Sequence, residues 1–215
     1  MGTLALPATT PIGMKRLLPS IALLAALVIG GAACGSDDAP STLVGYRLDP
    51  PTSVADLSLP DALTAEPFAF RARPDDLLVV YFGYTSCPDV CPTTLAALRS
   101  ALRSVGDDAS RIDLAMATID PLRDTGDILP GYVQSFIADA HALRTADDDA
   151  LRTVTDRFGA VYSVTIAADG TEEVAHSGAL YIVDQDGVVV DTMPFGVTSA
   201  DIANDLRLLL PKSTA

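Results

Sequence analysis

Cys87 and Cys91 stand four apart in "YFGYTSCPDVCPTT", each followed by a proline. They are two of only three cysteines in a chain of 215 residues. Such a pair can close a disulfide, exchange with one, or hold a metal ion between two thiolates. Dithiol redox catalysts usually carry a C-x-x-C spacing; here Pro88, Asp89 and Val90 intervene. On one helical turn the two sulfurs would share a face, so spacing alone leaves exchange and metal binding both open. Soft thiolates select copper(I) among common ions, with zinc second. Two sulfurs seldom complete a metal site, so a further ligand is needed. The chain has two histidines, which makes the search short. His141, in "IADAHALRT", reads as an exposed residue near the end of a helix. His176, in "EEVAHSGALYIV", precedes a strand and could face the thiols if both belong to one sheet. A histidine hydrogen-bonded near a turn is the other reading, and spacing leaves the two equal.

The elements that must position these residues follow from the hydrophobic pattern. "DDLLVVYFGY" is a short continuous apolar run, the pattern of a buried parallel strand. "TTLAALRSALRSV" places Leu95, Leu98, Leu102 and Val105 at helical spacing, and Gly106 stops it. The thiols therefore fall where a strand ends and a helix begins. Sites of α/β domains are built on that edge, and a helix N-terminus favours thiolate over thiol. "IDLAMATID" predicts a second central strand, and "DTGDILPGYVQSFIAD" a helix that is kinked or starts late because of Pro130 and Gly131. "ADDDALRTVTDRFG" has acidic residues at its head and Gly159 at its tail, a helix pattern. "ALYIVDQDGVVVDT" predicts a hairpin turning at Asp186 and Gly187. "TSADIANDLRLLLP" predicts a last helix capped by Thr198 or Ser199. Before Tyr81, prolines break the pattern into short strands and loops. The order predicts an α/β domain with a mixed central sheet flanked by helices, in a thioredoxin-like arrangement.

Charge and the N-terminus bound the setting. The formal net charge of −14 excludes nucleic acid as a partner, which needs a basic face. Lys15 and Arg16 precede the apolar stretch "IALLAALVIGG", and "AAC" follows. That is the layout of a secretory signal, and too short for a comfortable membrane span. The cysteine directly after it makes the segment resemble a bacterial lipoprotein signal. The resemblance implies a signal over 1–33, cleavage before Cys34, lipid on Cys34, a tether over 34–43 and a domain over 44–215. Met14 directly before Lys15 is an alternative start. The working cysteines of the exported chain would then be Cys87 and Cys91, in a compartment where thiols tend to oxidise.

Three blocks carry a further resemblance. "FGYTSCPDVCPTTL" resembles the signature of the Sco/SenC family, copper-handling assembly factors of respiratory cytochrome oxidase. "ATIDPLRDTGDIL" resembles the segment after that family's second central strand, and "HSGALYIVDQDG" the segment holding its distant histidine. The resemblance implies copper, as Cu(I) or Cu(II), held by Cys87, Cys91 and His176. It also implies an accessory role for Asp120 in the copper(II) state or in redox tuning, although an aspartate before a proline is often only a turn residue. The implied partner is the oxidase subunit that bears the CuA site, met at the outer face of the cell membrane where lipidated Cys34 would hold the domain. The same dithiol could instead act as a thiol-disulfide oxidoreductase, with Cys87 and Cys91 reducing a disulfide so that copper can enter. A thioredoxin-like peroxidase would leave His176 without a task. A structural zinc site would usually take four ligands, and a structural disulfide across so small a loop would stabilise little.

Overall fold

β4 (Leu77–Gly83, LLVVYFG) is buried at every position, as a continuous apolar run requires of a strand covered on both faces. The computed structural model describes residues 42–212 apart from 167, 169 and 171. The expected signal, the alternative start at Met14 and the lipidation site Cys34 lie outside the described residues. Three short strands precede β4, namely β1 (Thr52–Ser53), β2 (Ser58–Pro60) and β3 (Pro67–Ala69). β5 (Ile112–Thr118) pairs with β4 in parallel from Leu77↔Ile112 to Gly83↔Thr118, so both strands end level. β6 (His141–Leu143) continues the sheet in parallel beyond β5. On the other side β9 (Leu180–Val183) runs antiparallel to β4, and β10 (Val188–Met193) antiparallel to β9. The six-stranded order is β1-β10-β9-β4-β5-β6. β2 and β3 pair with each other, as do β7 (Tyr162–Ile166) and β8 (Glu172–His176).

Four α-helices flank the sheet among the described residues. α1 (Val90–Val105) buries Cys91, Thr94, Leu95, Leu98 and Ala101, one stripe at helical spacing. It begins at Val90, so Cys91 sits in its first turn. Gly106, at φ 80°, ends it and opens a 3₁₀ segment over Gly106–Arg111 that the periodicity does not predict. α2 (Ile128–Phe136) starts late, as its proline requires: Pro130 lies in the first turn, where a missing N–H costs nothing. α3 (Asp148–Phe158) is capped by the Asp147 side chain, which accepts from the Ala150 N–H, and is closed by left-handed Gly159 at φ 71°. α4 (Ser199–Leu209) carries a capping box: Thr198 accepts from the Asp201 N–H while Asp201 accepts from the Thr198 N–H. α4 packs along α1.

Two expectations are corrected. His141 is not in a helical connection. It opens β6, half-buried, with its ring centroid 4.6 Å from that of Phe68. His176 does not belong to the sheet that carries the thiols. It ends β8, in the separate β7–β8 hairpin, and meets them from outside the central sheet.

Candidate metal centre

Register explains how His176 reaches the thiols. β9 pairs antiparallel with β4, with Leu180 opposite Tyr81. The residues just before Leu180 therefore run beside the end of β4, where the chain turns into α1. That places the last residue of β8 against the first turn of α1. Cys91 Sγ lies 3.5 Å from His176 Nε2, and Cys87 Sγ lies 3.9 Å from it. The three ligand atoms all fall within 4.8 Å of one another, and this is the only such cluster of His, Cys, Asp or Glu among the described residues. Both cysteines are free thiols. The Cys91 N–H donates to Cys87 Sγ at 3.3 Å, a helix-start amide aimed at sulfur.

Small residues make room for this approach. A Cβ on Gly83 would stand 2.9 Å from Cys91 Sγ and 2.6 Å from the Tyr81 ring. Gly178 adopts φ +64°, and a Cβ there would stand 2.9 Å from Val90 Cγ1. Its N–H donates to His176 Nδ1 at 3.2 Å, which sets the ring with Nε2 towards the sulfurs. Two phenol rings stand edge-on to the imidazole, Tyr84 at 5.8 Å and Tyr81 at 6.1 Å between centroids.

Burial sets the charge states. Cys91 is fully buried, and desolvation pushes its thiol up to about 12. Burial lowers His176, with a hydrogen bond to the Phe82 carbonyl opposing it, so the ring is neutral at pH 7. Tyr84 is pushed up to about 12 by burial and then by Cys87, and Tyr81 well above the usual phenol range by burial and then by Cys91. Burial thus keeps the Cys91 thiol protonated in the metal-free site, and an arriving cation must displace that proton. Cys87, 8% exposed, and half-buried His176 form the open side. Two sulfurs and one neutral imidazole make a soft donor set of three, which suits copper(I) better than a closed four-ligand zinc site.

Asp120 lies outside this cluster. It is 2% exposed, and its carboxylate is bonded to the Arg123 guanidinium. Asp89 occupies the N-cap position of α1 without capping a backbone N–H; its carboxylate accepts from the Thr93 hydroxyl at 3.2 Å. Sequence reasoning missed two neighbours of the site, Tyr81 and Tyr84, and placed Asp124 only within the family-like Arg123-Asp124-Thr125 element, without a role. The full burial of Asp124 and its bonds to Thr85 and Thr118 are products of the fold.

Fold and site together define a thioredoxin-like domain with two thiols and an imidazole gathered where a strand meets a helix. The family model for SCO1/SenC matches residues 69–210, and the chain belongs to that family. It is 30% identical over 133 residues to an SCO2-like protein of Rickettsia typhi, covering 61% of this chain and 65% of that one. It is 32% identical over 114 residues to an SCO2-like protein of Rickettsia prowazekii, covering 52% and 55%. The chain thus spans less than two thirds of the length of these curated relatives. Among solved structures, apo Sco1 from Thermus thermophilus superposes with a TM-score of 0.67 at 27% identity, over 79% of this chain and 98% of that one. ScoI from Bradyrhizobium japonicum, solved with copper bound, gives 0.59 at 26% identity, over 77% and 98%.

Proposed function

We propose that the chain is an extracytoplasmic copper-binding chaperone that serves assembly of the CuA site of cytochrome c oxidase. Copper is its cargo, and Cys87, Cys91 and His176 are its ligands. The observation that carries this reading is the convergence of three soft ligand atoms within 4.8 Å on one partly open edge of the fold. Copper in the Bradyrhizobium relative supports the choice of ion. Partner thiolates would replace Cys87 first, since it is the more exposed sulfur, and Cys91 last. Lipid on Cys34 would hold the domain at the membrane; one acyl chain anchors only marginally, so stable attachment needs more than one. Mass spectrometry of the membrane-extracted chain tests the lipid and the start site together: an acylated N-terminal Cys34 is expected, and an unmodified one overturns that part.

The test of the cargo is titration of the purified domain with copper(I) and with zinc, on the wild type and on Cys87→Ser, Cys91→Ser and His176→Ala. The expected result is one tightly held copper(I) per chain, lost or greatly weakened in all three variants. A second reading, thiol-disulfide exchange, is favoured by two free thiols of unequal burial: the slightly accessible Cys87 would attack and the fully buried Cys91 would resolve. His176 separates the two. If His176→Ala abolishes tight copper binding yet leaves oxidase assembly intact, the carrier reading gives way to the reductase.

A further inference from the structure

We infer that Asp124 is the positioning residue of the dithiol, holding the loop before α1 in the course that brings Cys87 and Cys91 to His176. The inference rests on the copper-carrier reading for its consequence, but on geometry for its substance. Asp124 is 0% exposed. Its carboxylate accepts the Thr85 N–H at 3.0 and 3.2 Å, the Thr85 hydroxyl at 2.5 Å and the Thr118 hydroxyl at 2.6 Å. Thr85 lies two residues before Cys87, and Thr118 is the last residue of β5. One carboxylate therefore ties the cysteine loop to the end of the neighbouring strand. Between Gly83 and Val90 the other ties run to the loop itself or to α1, such as the Cys87 N–H on the Tyr84 carbonyl at 3.3 Å and the Thr93 N–H on the Asp89 carbonyl at 3.1 Å, and the bond from Thr85 to Asp124 joins it to the turn after β5.

Asp124 is itself held. Its N–H donates to the Asp120 carbonyl at 3.0 Å, closing the turn over residues 120–124. The same turn reaches the other half of the site. Asp120 grips Arg123, whose guanidinium carbon lies 5.8 Å from the Tyr84 ring centroid, and Tyr84 stands edge-on to His176. The turn after β5 thus presses on the thiols through Thr85 and on the imidazole through Tyr84. A buried charge carries a desolvation penalty that an apolar side chain would avoid. Four hydrogen bonds converging on it, three from the residue that opens the cysteine loop, account for an aspartate at this place. Partners that orient ligands from behind typically matter by 10–100-fold in metal affinity.

The test compares Asp124→Asn, Thr85→Val and Thr85→Ser with the wild type. Thr85→Val keeps the shape and removes the hydroxyl; Thr85→Ser keeps the hydroxyl and serves as the rescue. Two readouts are used on the full chain: copper(I) affinity by competition with a chromophoric chelator, and the alkylation rate of the metal-free thiols with iodoacetamide. Asp124→Asn and Thr85→Val are expected to lose about 10–100-fold in copper(I) affinity and to change the Cys87 alkylation rate several-fold, with Thr85→Ser close to wild type in both. Folded Asp124→Asn and Thr85→Val with wild-type affinity and alkylation overturn the inference. So does Thr85→Ser behaving like Thr85→Val, since loss would then track packing and not the bond to Asp124. If Asp124→Asn does not fold, the threonine pair decides. If the wild type takes up no copper, the carrier reading fails, and the alkylation rates still decide the role of Asp124.

Discussion

At the scale of single residues, the site depends on what is missing as much as on what is present. Gly83 ends β4 directly beneath the sulfurs, and the absent Cβ leaves the space that Cys91 and the Tyr81 ring fill. Tyr81 is fully buried against the core and cannot withdraw, and Cys91 is fixed by the first turn of α1. Gly83→Ala is therefore expected to cost about 1–3 kcal/mol as overpacking. Because that Cβ would stand 2.9 Å from Cys91 Sγ, a candidate ligand atom, it should also weaken copper(I) binding. Urea unfolding measures the first effect and chelator competition the second. A variant that unfolds like wild type would show that the end of β4 gives way more readily than this packing implies. Tyr81 offers a contrasting case. Its hydroxyl is buried beside Cys91 and Thr94 and makes no hydrogen bond of ordinary geometry among the described residues. Tyr81→Phe removes that unsatisfied oxygen while keeping the ring. It should leave stability unchanged or raised, with copper(I) stoichiometry intact.

At the scale of elements, α4 is the clearest stand-alone case. Its capping box satisfies backbone N–H groups that have no partner within the helix. Thr198→Ala should cost about 1 kcal/mol in chemical denaturation. It should leave copper(I) stoichiometry unchanged, because the cap lies outside the cluster of ligand atoms. Loss of copper binding in a folded Thr198→Ala would mean that α4 helps to hold α1 in place for the thiols. This element was legible in the sequence, as were β4, β5, α1, α3 and the β9–β10 hairpin, because each carries its own period and its own stop signals. β6 was not legible: three residues, His141, Ala142 and Leu143, give no period, and only pairing with β5 makes them a strand. The β7–β8 hairpin was missed for another reason. Tyr162–Ile166 is largely exposed, so no apolar alternation marks a buried face. The candidate ligand set was proposed from cysteine spacing, histidine scarcity and family likeness, and the fold brings those three residues together. The route by which His176 arrives was not readable, because it is set by the pairing of Leu180 with Tyr81, nearly a hundred residues apart in the chain. The role of Asp124 stayed hidden because burial of a charge cannot be read from its neighbours in sequence.

At the scale of the whole molecule, a second buried acid joins the N-terminal end of the described chain to the sheet and the last helix. Asp205 on α4 accepts the N–H of Val44 at 2.9 and 3.0 Å, the N–H of Gly45 at 2.8 Å and the Asn204 amide at 2.8 Å. Asn204 also holds the Thr42 carbonyl at 3.1 Å, and Tyr46 bridges to Thr192 beside β10. Under Gly45 lies Asp191, 0% exposed, so close that a Cβ on the glycine would stand 2.3 Å from its carboxylate. Neither Asp191 oxygen meets a hydrogen-bond donor of ordinary geometry among the described residues, and two carboxylates facing each other could only accept. A proton on Asp191 supplies the missing donor towards Asp205. Burial, then the charge of Asp205, then that shared hydrogen bond push Asp191 up to about 7 from 3.8, with the Thr192 amide and Arg47 opposing. An acid raised on folding binds more protons in the folded state than in the unfolded one between those two values. Its contribution to stability therefore falls as pH rises from about 4 to about 7 and is flat above, by at most ~4 kcal/mol at ~1.4 kcal/mol per unit. Asp191→Asn offers an amide donor to Asp205 at every pH. The difference in unfolding free energy between variant and wild type, from urea curves between pH 4 and pH 8, should grow in favour of the variant as pH rises. A difference that stays constant across that window would mean that Asp191 is ionised in the folded protein throughout, and that residues 42–46 are held on α4 without the shared proton.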